Sequence, residues 1–316
     1  MPRVVVLGAS TTDMNLRFPT LPRPGQTLLG GDFFTGPGGK GANQAVASAR
    51  AGAEVVFLTA FGDDDFGRAV RDHDRAEGID LAHAKVVPGQ PTGVALIFVA
   101  DDGENLIGVA MGANAHLLPE DIDALPDEVF QSGGVFLASL EVPIETVVRA
   151  VRRARRAGMI VVVNPAPADL QLARLGALAE IDVLTPNCSE AETLTGHRLA
   201  EGDDPSSLIA PLLESGVGSV VLTLGGAGCL VADAAGTTHL PAHAVRVVDT
   251  VGAGDAFNGA LAAALAEGRP LREAAAWATR AGAIAVTKPG AQGALPTRAE
   301  IDALGDRYPS PHSEAP

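Results

Sequence analysis

The residues best suited to catalysis lie in the segment 249–257 (DTVGAGDAF), where glycines lead into a helix rich in Ala and Leu. Gly252, Ala253 and Gly254 are small, so the first N–H groups of the helix can approach an anion. Asp255 lies in the first turn and is either a helix-capping acid or a catalytic base beside that anion hole. As a base it would accept a proton while the N–H groups stabilise charge on a transferring phosphoryl group.

A second string, residues 36–43 (GPGGKGAN), opens another predicted helix and carries the donors Lys40 and Asn43, which suit hydroxyl groups. It formally matches the dinucleotide fingerprint, but about thirty residues separate it from the first predicted strand, which the fingerprint should follow directly. It is not a P-loop, because Gly41 stands where Ser or Thr is required. A tight turn with solvated polar side chains is the alternative.

Two further segments point to a nucleotide. Thr223, Gly225 and Gly228 follow a predicted strand, and they form either a simple turn or a backbone cradle for phosphates. Asn187 and Glu190 are three residues apart, after another predicted strand. They either cap a helix or orient a hydrated Mg²⁺ from one helical face.

Composition excludes several classes of protein. The 316 residues carry 23 Lys and Arg against 38 Asp and Glu, a net charge of −15, and only 4% are aromatic. These values argue against a nucleic acid or an anionic membrane as the main partner. No apolar run approaches the ~18 residues of a membrane helix. Two cysteines, Cys188 and Cys229, exclude a disulfide scaffold and favour a reducing, cytoplasmic compartment.

Apolar strands that alternate with amphipathic helices must position these residues, and this alternation predicts an α/β fold with a parallel sheet covered on both faces. The strongest β-branched runs are residues 4–7, 55–58, 135–137, 160–163, 183–184, 220–222 and 245–248.

Two segments, residues 14–38 and 92–111, break the alternation, the second of them as a hairpin that turns at 101–104. We expect them to form a small separate β-sheet, a lid that could pair with a second subunit. The predicted α/β core is then residues 1–13, 39–91 and 112–306, and residues 307–316 form a flexible tail.

Taken in order along the chain, these motifs resemble the PfkB carbohydrate kinases, most closely their ribokinase group, over nearly the whole sequence. The matching elements are Asp13 after the first strand, 38–43 (GGKGAN), 164–168 (NPAPA), Asn187-x-x-Glu190, 223–225 (TLG) and 249–255.

The resemblance implies a central, mostly parallel sheet between helices, with a β-sheet lid that clasps a second subunit into a homodimer. It implies ATP-dependent phosphorylation of the 5-hydroxyl of a sugar, with D-ribose as the first candidate. 2-Deoxyribose, another sugar or a nucleoside are alternatives within the family. A nicotinamide-dependent dehydrogenase and a non-catalytic sugar-binding protein are the rivals from other classes.

The resemblance also assigns roles. Asp255 is the base, and Gly252, Ala253 and Gly254 form the anion hole. The remaining assignments are Thr11, Asp13, Gly39, Lys40, Asn43 and Glu141 to the sugar; Asn187, Thr223, Gly225, Gly228 and Gly254 to ATP; Glu190 to Mg²⁺ through water; and Asp249, Val251, Ala285, Lys288 and Gly290 to K⁺, mainly by backbone oxygens.

Two positions depart from the family pattern. Thr11 stands where its ribose-phosphorylating members usually have Asn, which bears on the choice of sugar. Ala294 stands where a Ser hydroxyl usually completes the potassium site, which bears on the affinity for the cation.

Overall fold

The computed structural model describes residues 2–101 and 104–307. Asp102 and Gly103, in the predicted turn, lie outside the described residues, as does the whole of the predicted tail beyond Arg307.

Fourteen strands and ten α-helices occur in the described residues. The strands are β1 Arg3–Leu7, β2 Thr11–Phe18, β3 Asp32–Gly38, β4 Glu54–Leu58, β5 Ala60–Gly62, β6 Lys85–Val87, β7 Gly93–Ala100, β8 Asn105–Ala110, β9 Val135–Ala138, β10 Ile160–Val163, β11 Val183–Leu184, β12 Ser219–Thr223, β13 Cys229–Asp233 and β14 Gly236–Leu240. The helices are α1 Lys40–Arg50, α2 Asp65–Ala76, α3 Pro119–Asp123, α4 Ile144–Arg156, α5 Gln171–Arg174, α6 Cys188–Thr195, α7 Ile209–Glu214, α8 Ala253–Ala266, α9 Leu271–Ala285 and α10 Arg298–Arg307.

The main sheet has eight strands in the order β14-β13-β12-β11-β10-β9-β1-β4. Pairing is parallel from β4 to β12 and antiparallel only for β13 and β14. The predicted mostly parallel sheet is therefore confirmed. The strand order reverses at β1, because β4 lies on one side of it and β9 on the other. In sheets of this kind, ligands bind outside the carboxyl ends of the strands at such a reversal.

Helices cover both faces of this sheet, as its continuous apolar strands require. Val5 and Leu7 of β1 face one core, which contains the buried side of α4. Val4 and Val6 face the other core, built from α1, α8, α9 and α10. The pairing of α1 with α8 in this second core brings together the two segments that carry the candidate chemistry.

A separate four-stranded sheet in the order β3-β2-β7-β8 confirms the expected small sheet. β2 pairs in parallel with β7, and the two outer pairs are antiparallel. One face carries the large exposed side chains of Phe33, Leu96 and Leu106, and the alternation along β8 places Ile107 and Val109 on the other face.

The predicted strand at residues 245–248 is wrong. The structure has no strand there: Val247 and Val248 are 59% and 56% exposed. The N–H of Val248 donates to the carbonyl of Val286 at the end of α9 (2.7 Å) rather than to a neighbouring strand. Although these residue types favour strands, the segment instead connects β14 to α8 and bonds to the end of α9.

Among the described helices the longest, α9, has fifteen residues. None of them is long and apolar enough to cross a bilayer.

Candidate active site

The candidate residues come together at the carboxyl ends of the parallel strands. Glu141 follows β9, Asn164 follows β10, Asn187 follows β11 and Thr223 ends β12, while Asp13 lies in β2, the strand of the small sheet that comes after β1. All five line one cavity of about 630 Å³, together with Thr11, Gly39, Lys40, Asn43, Glu190, Gly252, Gly254 and Asp255. The cavity lies between the main sheet and the small sheet, which contributes β7 and β8 residues to its wall.

The start of α8 is shaped for an anion. Gly252 is the N-cap and has a left-handed backbone (φ 76°), in which other residues are strained. The N–H of Ala253 donates weakly to the carbonyl of Thr250 (3.3 Å), and no side chain in the described part of the chain caps the helix. A Cβ at Gly254 would meet no atom of the described residues within 4 Å, so open space adjoins the first turn.

Asp255 turns away from its own helix, so it does not act as a capping residue. Its Oδ2 accepts from Asn43 Nδ2 (2.9 Å), and its Oδ1 accepts from Gln44 Nε2 (3.1 Å). Gly259 permits this closeness of α1 and α8, because a Cβ there would lie 2.4 Å from the Cβ of Ala47. The carboxylate is 7% exposed and retains access to the cavity.

The sugar-side residues are linked in pairs. Thr11 Oγ1 donates to Asp13 Oδ1 (2.8 Å), and the N–H of Lys40 donates to Glu141 Oε2 (2.8 Å). Gly39, the N-cap of α1, has φ 88°, and a Cβ there would lie 2.6 Å from the carbonyl oxygen of Ala9. Glycine is therefore required where the chain passes from β3 into α1.

The ammonium of Lys40 lies among three carboxyl groups. Attraction to Asp255 is the largest influence and raises the pKa of Lys40, with smaller contributions from Glu141 and Glu190, while burial acts in the opposite direction. Lys40 is therefore protonated at neutral pH and offsets part of the negative charge in the cavity.

Burial raises the pKa of Asp13, Glu141 and Glu190 above ordinary carboxyl values. A hydrogen bond from Thr11 opposes this shift at Asp13, and the charge of Lys40 opposes it at Glu141. Several carboxylate acceptors around one ammonium group suit a ligand that has several hydroxyl donors. Because the carboxylates outnumber the ammonium group, the cavity also suits a ligand that binds together with a cation.

The pair Asn187 and Glu190 forms a capping box at the start of α6. Asn187 Oδ1 accepts from the N–H of Glu190 (2.9 Å), and the two Glu190 oxygens accept from the N–H and Nδ2 of Asn187 (2.9 and 2.8 Å). The capping interpretation is therefore confirmed. The pair also lines the cavity, so it is presented to a ligand as well.

A groove of about 440 Å³ adjoins the cavity and is lined by Asn187, Thr223 and Gly225. Gly228 ends the turn behind the groove with φ 92°, and a Cβ there would overlap the carbonyl of Leu240. Gly228 therefore shapes the turn between β12 and β13 without lining the groove.

Asp249 ties two loops together beside the start of α8. Its Oδ1 accepts from the N–H of Val251 (3.0 Å), and its Oδ2 accepts from the N–H of Gly290 (2.8 Å). The carbonyl of Ala285 accepts from the N–H of Lys288 (3.2 Å), and the Lys288 ammonium pairs with Glu300. The structure thus gathers the segments expected to hold K⁺, with backbone carbonyls and one carboxylate as the oxygens on offer.

Two residues of the site were not identified from the sequence. Gln44, next to Asn43 on α1, bonds Asp255 directly, and Asn258 on α8 donates to the carbonyl of Gly254 (2.9 Å). The only signal for either is a polar side chain on the buried face of its helix, and that signal gives no partner.

The comparisons with known proteins agree with this geometry. The chain matches the pfkB family of carbohydrate kinases over residues 1–298. It is 39% identical to a ribokinase of Haemophilus influenzae, over 94% of this chain and 96% of that one. It is 35% identical to a deoxyribokinase of Salmonella typhi, over 93% and 95% of the two chains.

Solved structures have the same fold. A ribokinase of Thermotoga maritima superimposes with a TM-score of 0.87 at 34% identity, covering 97% of this chain and 100% of that one. A ribokinase of Arabidopsis thaliana, complexed with ribose and ATP, superimposes with a TM-score of 0.85 at 30% identity, covering 96% of this chain and 98% of that one.

The glycines of residues 36–41 end a strand of the small sheet rather than following β1, so they do not form a dinucleotide fingerprint. The chain belongs to the PfkB family of carbohydrate kinases and is a phosphotransferase that acts on a sugar hydroxyl.

Proposed function

We propose that the protein phosphorylates the 5-hydroxyl of D-ribose with ATP, giving ribose 5-phosphate and ADP. The observation that carries this proposal is Asp255, held by two amide side chains at the anion-binding start of α8, in the same cavity as Asp13, Lys40 and Glu141. The relatives named ribokinase support ribose as the sugar.

In this proposal Asp255 accepts the proton of the 5-hydroxyl while that oxygen attacks the γ-phosphorus of ATP. The bond between the γ-phosphorus and the bridging oxygen breaks, and the electron pair leaves with ADP. N–H groups of residues 252–254 stabilise the charge on the transferring phosphoryl group, because the first N–H groups of a helix have no carbonyl one turn earlier. Asp13, Lys40, Asn43, Glu141 and the backbone at Gly39 hold the sugar in position.

The experiment that tests the proposal is ADP release measured over a panel of pentoses, hexoses and nucleosides. The highest kcat/KM is expected for ribose. 2-Deoxyribose is the second candidate, because the chain is 35% identical to deoxyribokinases and because Thr11 departs from the usual Asn. A nucleoside as the preferred substrate would contradict both.

The first prediction concerns the ratio of kcat/KM for ribose to that for 2-deoxyribose. The hydroxyl of Thr11 already donates its one proton to Asp13 (2.8 Å), so it has none left for the 2-hydroxyl that distinguishes ribose from 2-deoxyribose, whereas the amide of an Asn has two. A neutral hydrogen bond contributes roughly 0.5–1.5 kcal/mol, or about 2–10-fold. We expect wild type to prefer ribose and Thr11→Asn to increase the ratio by that factor.

The matched control is Thr11→Ser, which keeps the hydroxyl donor to Asp13 and should leave the ratio unchanged. A ratio altered in Thr11→Ser would assign selectivity to the shape of the pocket rather than to the hydrogen bond. A wild-type ratio in favour of 2-deoxyribose would contradict ribose as the substrate while leaving the kinase activity in place.

Mg²⁺ is proposed to enter with ATP. Within the described residues, no three side chains of His, Cys, Asp or Glu gather as a metal site, and this fits a cation held mostly by phosphates and water. Glu190 would bind its hydration shell, since it lines the cavity and each of its carboxylate oxygens accepts only one hydrogen bond from Asn187. When bound, the ion neutralises phosphate charge as ADP leaves.

K⁺ is proposed to bind beside the anion hole, where Asp249 joins the loops of Val251 and Gly290. We predict activation by K⁺ and a tighter site in Ala294→Ser, because Ala294 is buried and its replacement adds one hydroxyl ligand. One such ligand should lower the K⁺ concentration for half-activation by about 2–10-fold. The measurement is initial rate against K⁺ concentration.

The control for this prediction is Gly293→Ser, which adds a hydroxyl one residue earlier, where a Cβ meets no atom within 4 Å. It should not change the K⁺ dependence. Equal rates in K⁺-free and K⁺-containing buffer would show that no functional site exists.

We further propose that the small sheet, residues 14–38 and 92–111, is a lid over the sugar and pairs with the same sheet of a second subunit. Its exposed Phe33, Leu96 and Leu106 give an apolar face that a partner would cover. A monomeric mass in solution at micromolar concentration would contradict the dimer.

The free thiols of Cys188 and Cys229 support a cytoplasmic location.

A further inference from the structure

Gln44 lies where α1 packs on α8, and its side chain donates a hydrogen bond to one carboxylate oxygen of Asp255. Its side chain is completely buried, and its Nε2 donates both to Asp255 Oδ1 (3.1 Å) and to Asn164 Oδ1 (3.0 Å). Asn43 donates to the other carboxylate oxygen (2.9 Å). Both oxygens of Asp255 are therefore held by adjacent residues of one helix.

The orientation of these amides is fixed by groups that only accept. Asn164 Nδ2 donates to the carbonyl of Thr185 (3.0 Å), so the oxygen of Asn164 faces Gln44. Gln44 then meets two acceptors, and a flipped amide would direct its oxygen at both of them. Gln44 Oε1 has no donor among the described residues, which fits an orientation set entirely by the nitrogen.

The same chain of hydrogen bonds continues to the first turn of α8. Thr185 Oγ1 donates to Asn258 Oδ1 (2.6 Å), and Asn258 Nδ2 donates to the carbonyl of Gly254 (2.9 Å). One set of buried polar groups thus holds the carboxylate of Asp255 at one end and the Gly254 peptide at the other. Shared support of this kind keeps two groups of a site in a constant relative position.

Resting on the proposed role of Asp255 as the base, we propose that Gln44 is a positioning residue that sets the carboxylate of Asp255 relative to the anion hole. The terminal torsion of an Asp side chain has broad preferences, so its orientation depends on its hydrogen-bond partners. With Gln44 removed, Asn43 alone holds Asp255, and the carboxylate rotates about that single contact. Gln44 itself touches neither substrate nor phosphate.

The test is Gln44→Met, which removes the amide but keeps the length of the side chain. Because a misplacement of about 1 Å can cost about 100-fold, kcat should fall about 10–100-fold. KM for ribose and for ATP should stay within about two-fold, since Asp13, Lys40 and the groove are untouched. If Gln44→Met does not fold, Gln44→Asn is the second variant. The same fall in kcat is expected, because Asn carries its amide on a shorter side chain.

Ser48→Ala is the matched control for packing. Ser48 is also fully buried on α1, and its Oγ donates to the carbonyls of Gln44 (2.8 Å) and Gly259 (3.2 Å), without contact to Asp255. It should lower the melting temperature as Gln44→Met does while retaining wild-type kcat. An equal loss of kcat in Ser48→Ala would overturn the positioning role.

A double-mutant cycle separates this inference from the proposed function. In the Asp255→Asn background, Gln44→Met should cause no further loss in the residual rate, because its effect passes through Asp255. Additive losses would overturn the positioning role. Wild-type activity in Asp255→Asn would overturn the base assignment, whereas an inactive Asp255→Asn with wild-type kcat in Gln44→Met would overturn only the role of Gln44.

Discussion

Asp255→Asn is expected to lower kcat by about 10²–10⁴-fold, the usual contribution of a general base, while ATP still binds. An amide cannot accept the proton of the sugar hydroxyl. It also has one oxygen where the carboxylate has two, so either Asn43 or Gln44 loses its acceptor. We therefore expect a modest fall in melting temperature beside the large loss of rate.

The measurement is kcat at saturating ribose and ATP, with ATP-analogue binding followed by calorimetry on the same preparation. Asp74→Asn is the matched control, because Asp74 is a completely buried carboxyl on α2, and neither of its oxygens has a hydrogen-bond partner among the described residues. It lies outside the cavity and should retain wild-type kcat. Near wild-type kcat in Asp255→Asn would contradict the base assignment.

The main sheet was predictable from the sequence because its strands are buried on both faces. Such strands are read as continuous apolar runs, and the predictions at residues 4–7, 55–58, 135–137 and 160–163 each fall within an observed strand. The interpretation failed at 245–248, where the same residue types lie exposed in a loop. Local composition does not specify whether a segment pairs with a neighbouring strand.

The small sheet was predictable only in part. The hairpin of β7 and β8 follows from alternating apolar runs around a polar turn, but β2 has the mixed sequence TTDMNLRF and β3 contains a proline and two glycines. These strands form because β2 pairs with β7, some eighty residues away, and with β3.

The motif residues of the site were predictable because each follows a predicted strand or opens a predicted helix, and parallel strands bring their carboxyl ends to one edge. Gln44 and Asn258 were not. Gln44 acquires its partner Asp255 only through the packing of α1 on α8, across 211 residues of sequence. No local pattern contains a contact of that kind.

Gly38→Ala is expected to raise KM for ribose about 10–100-fold, with a smaller effect on KM for ATP. Gly38 ends β3 opposite Thr11, and a Cβ there would overlap the carboxylate of Asp13. Asp13 must then rotate away from its proposed place against the sugar. A hydrogen bond to a charged group contributes about 1.5–3 kcal/mol, which corresponds to that range in KM. The measurement is initial rate against ribose concentration at saturating ATP.

Gly36→Ala is the control, on the same strand and two residues earlier. Gly36 is paired with Asp13 in the sheet, yet a Cβ at this position meets no atom within 4 Å. Neither glycine has a left-handed backbone, so both variants alter the strand equally and only one displaces Asp13. Gly36→Ala should therefore retain the wild-type KM. A wild-type KM in Gly38→Ala would mean that Asp13 does not hold the sugar. Raised KM in both variants would assign the effect to the strand rather than to the carboxylate.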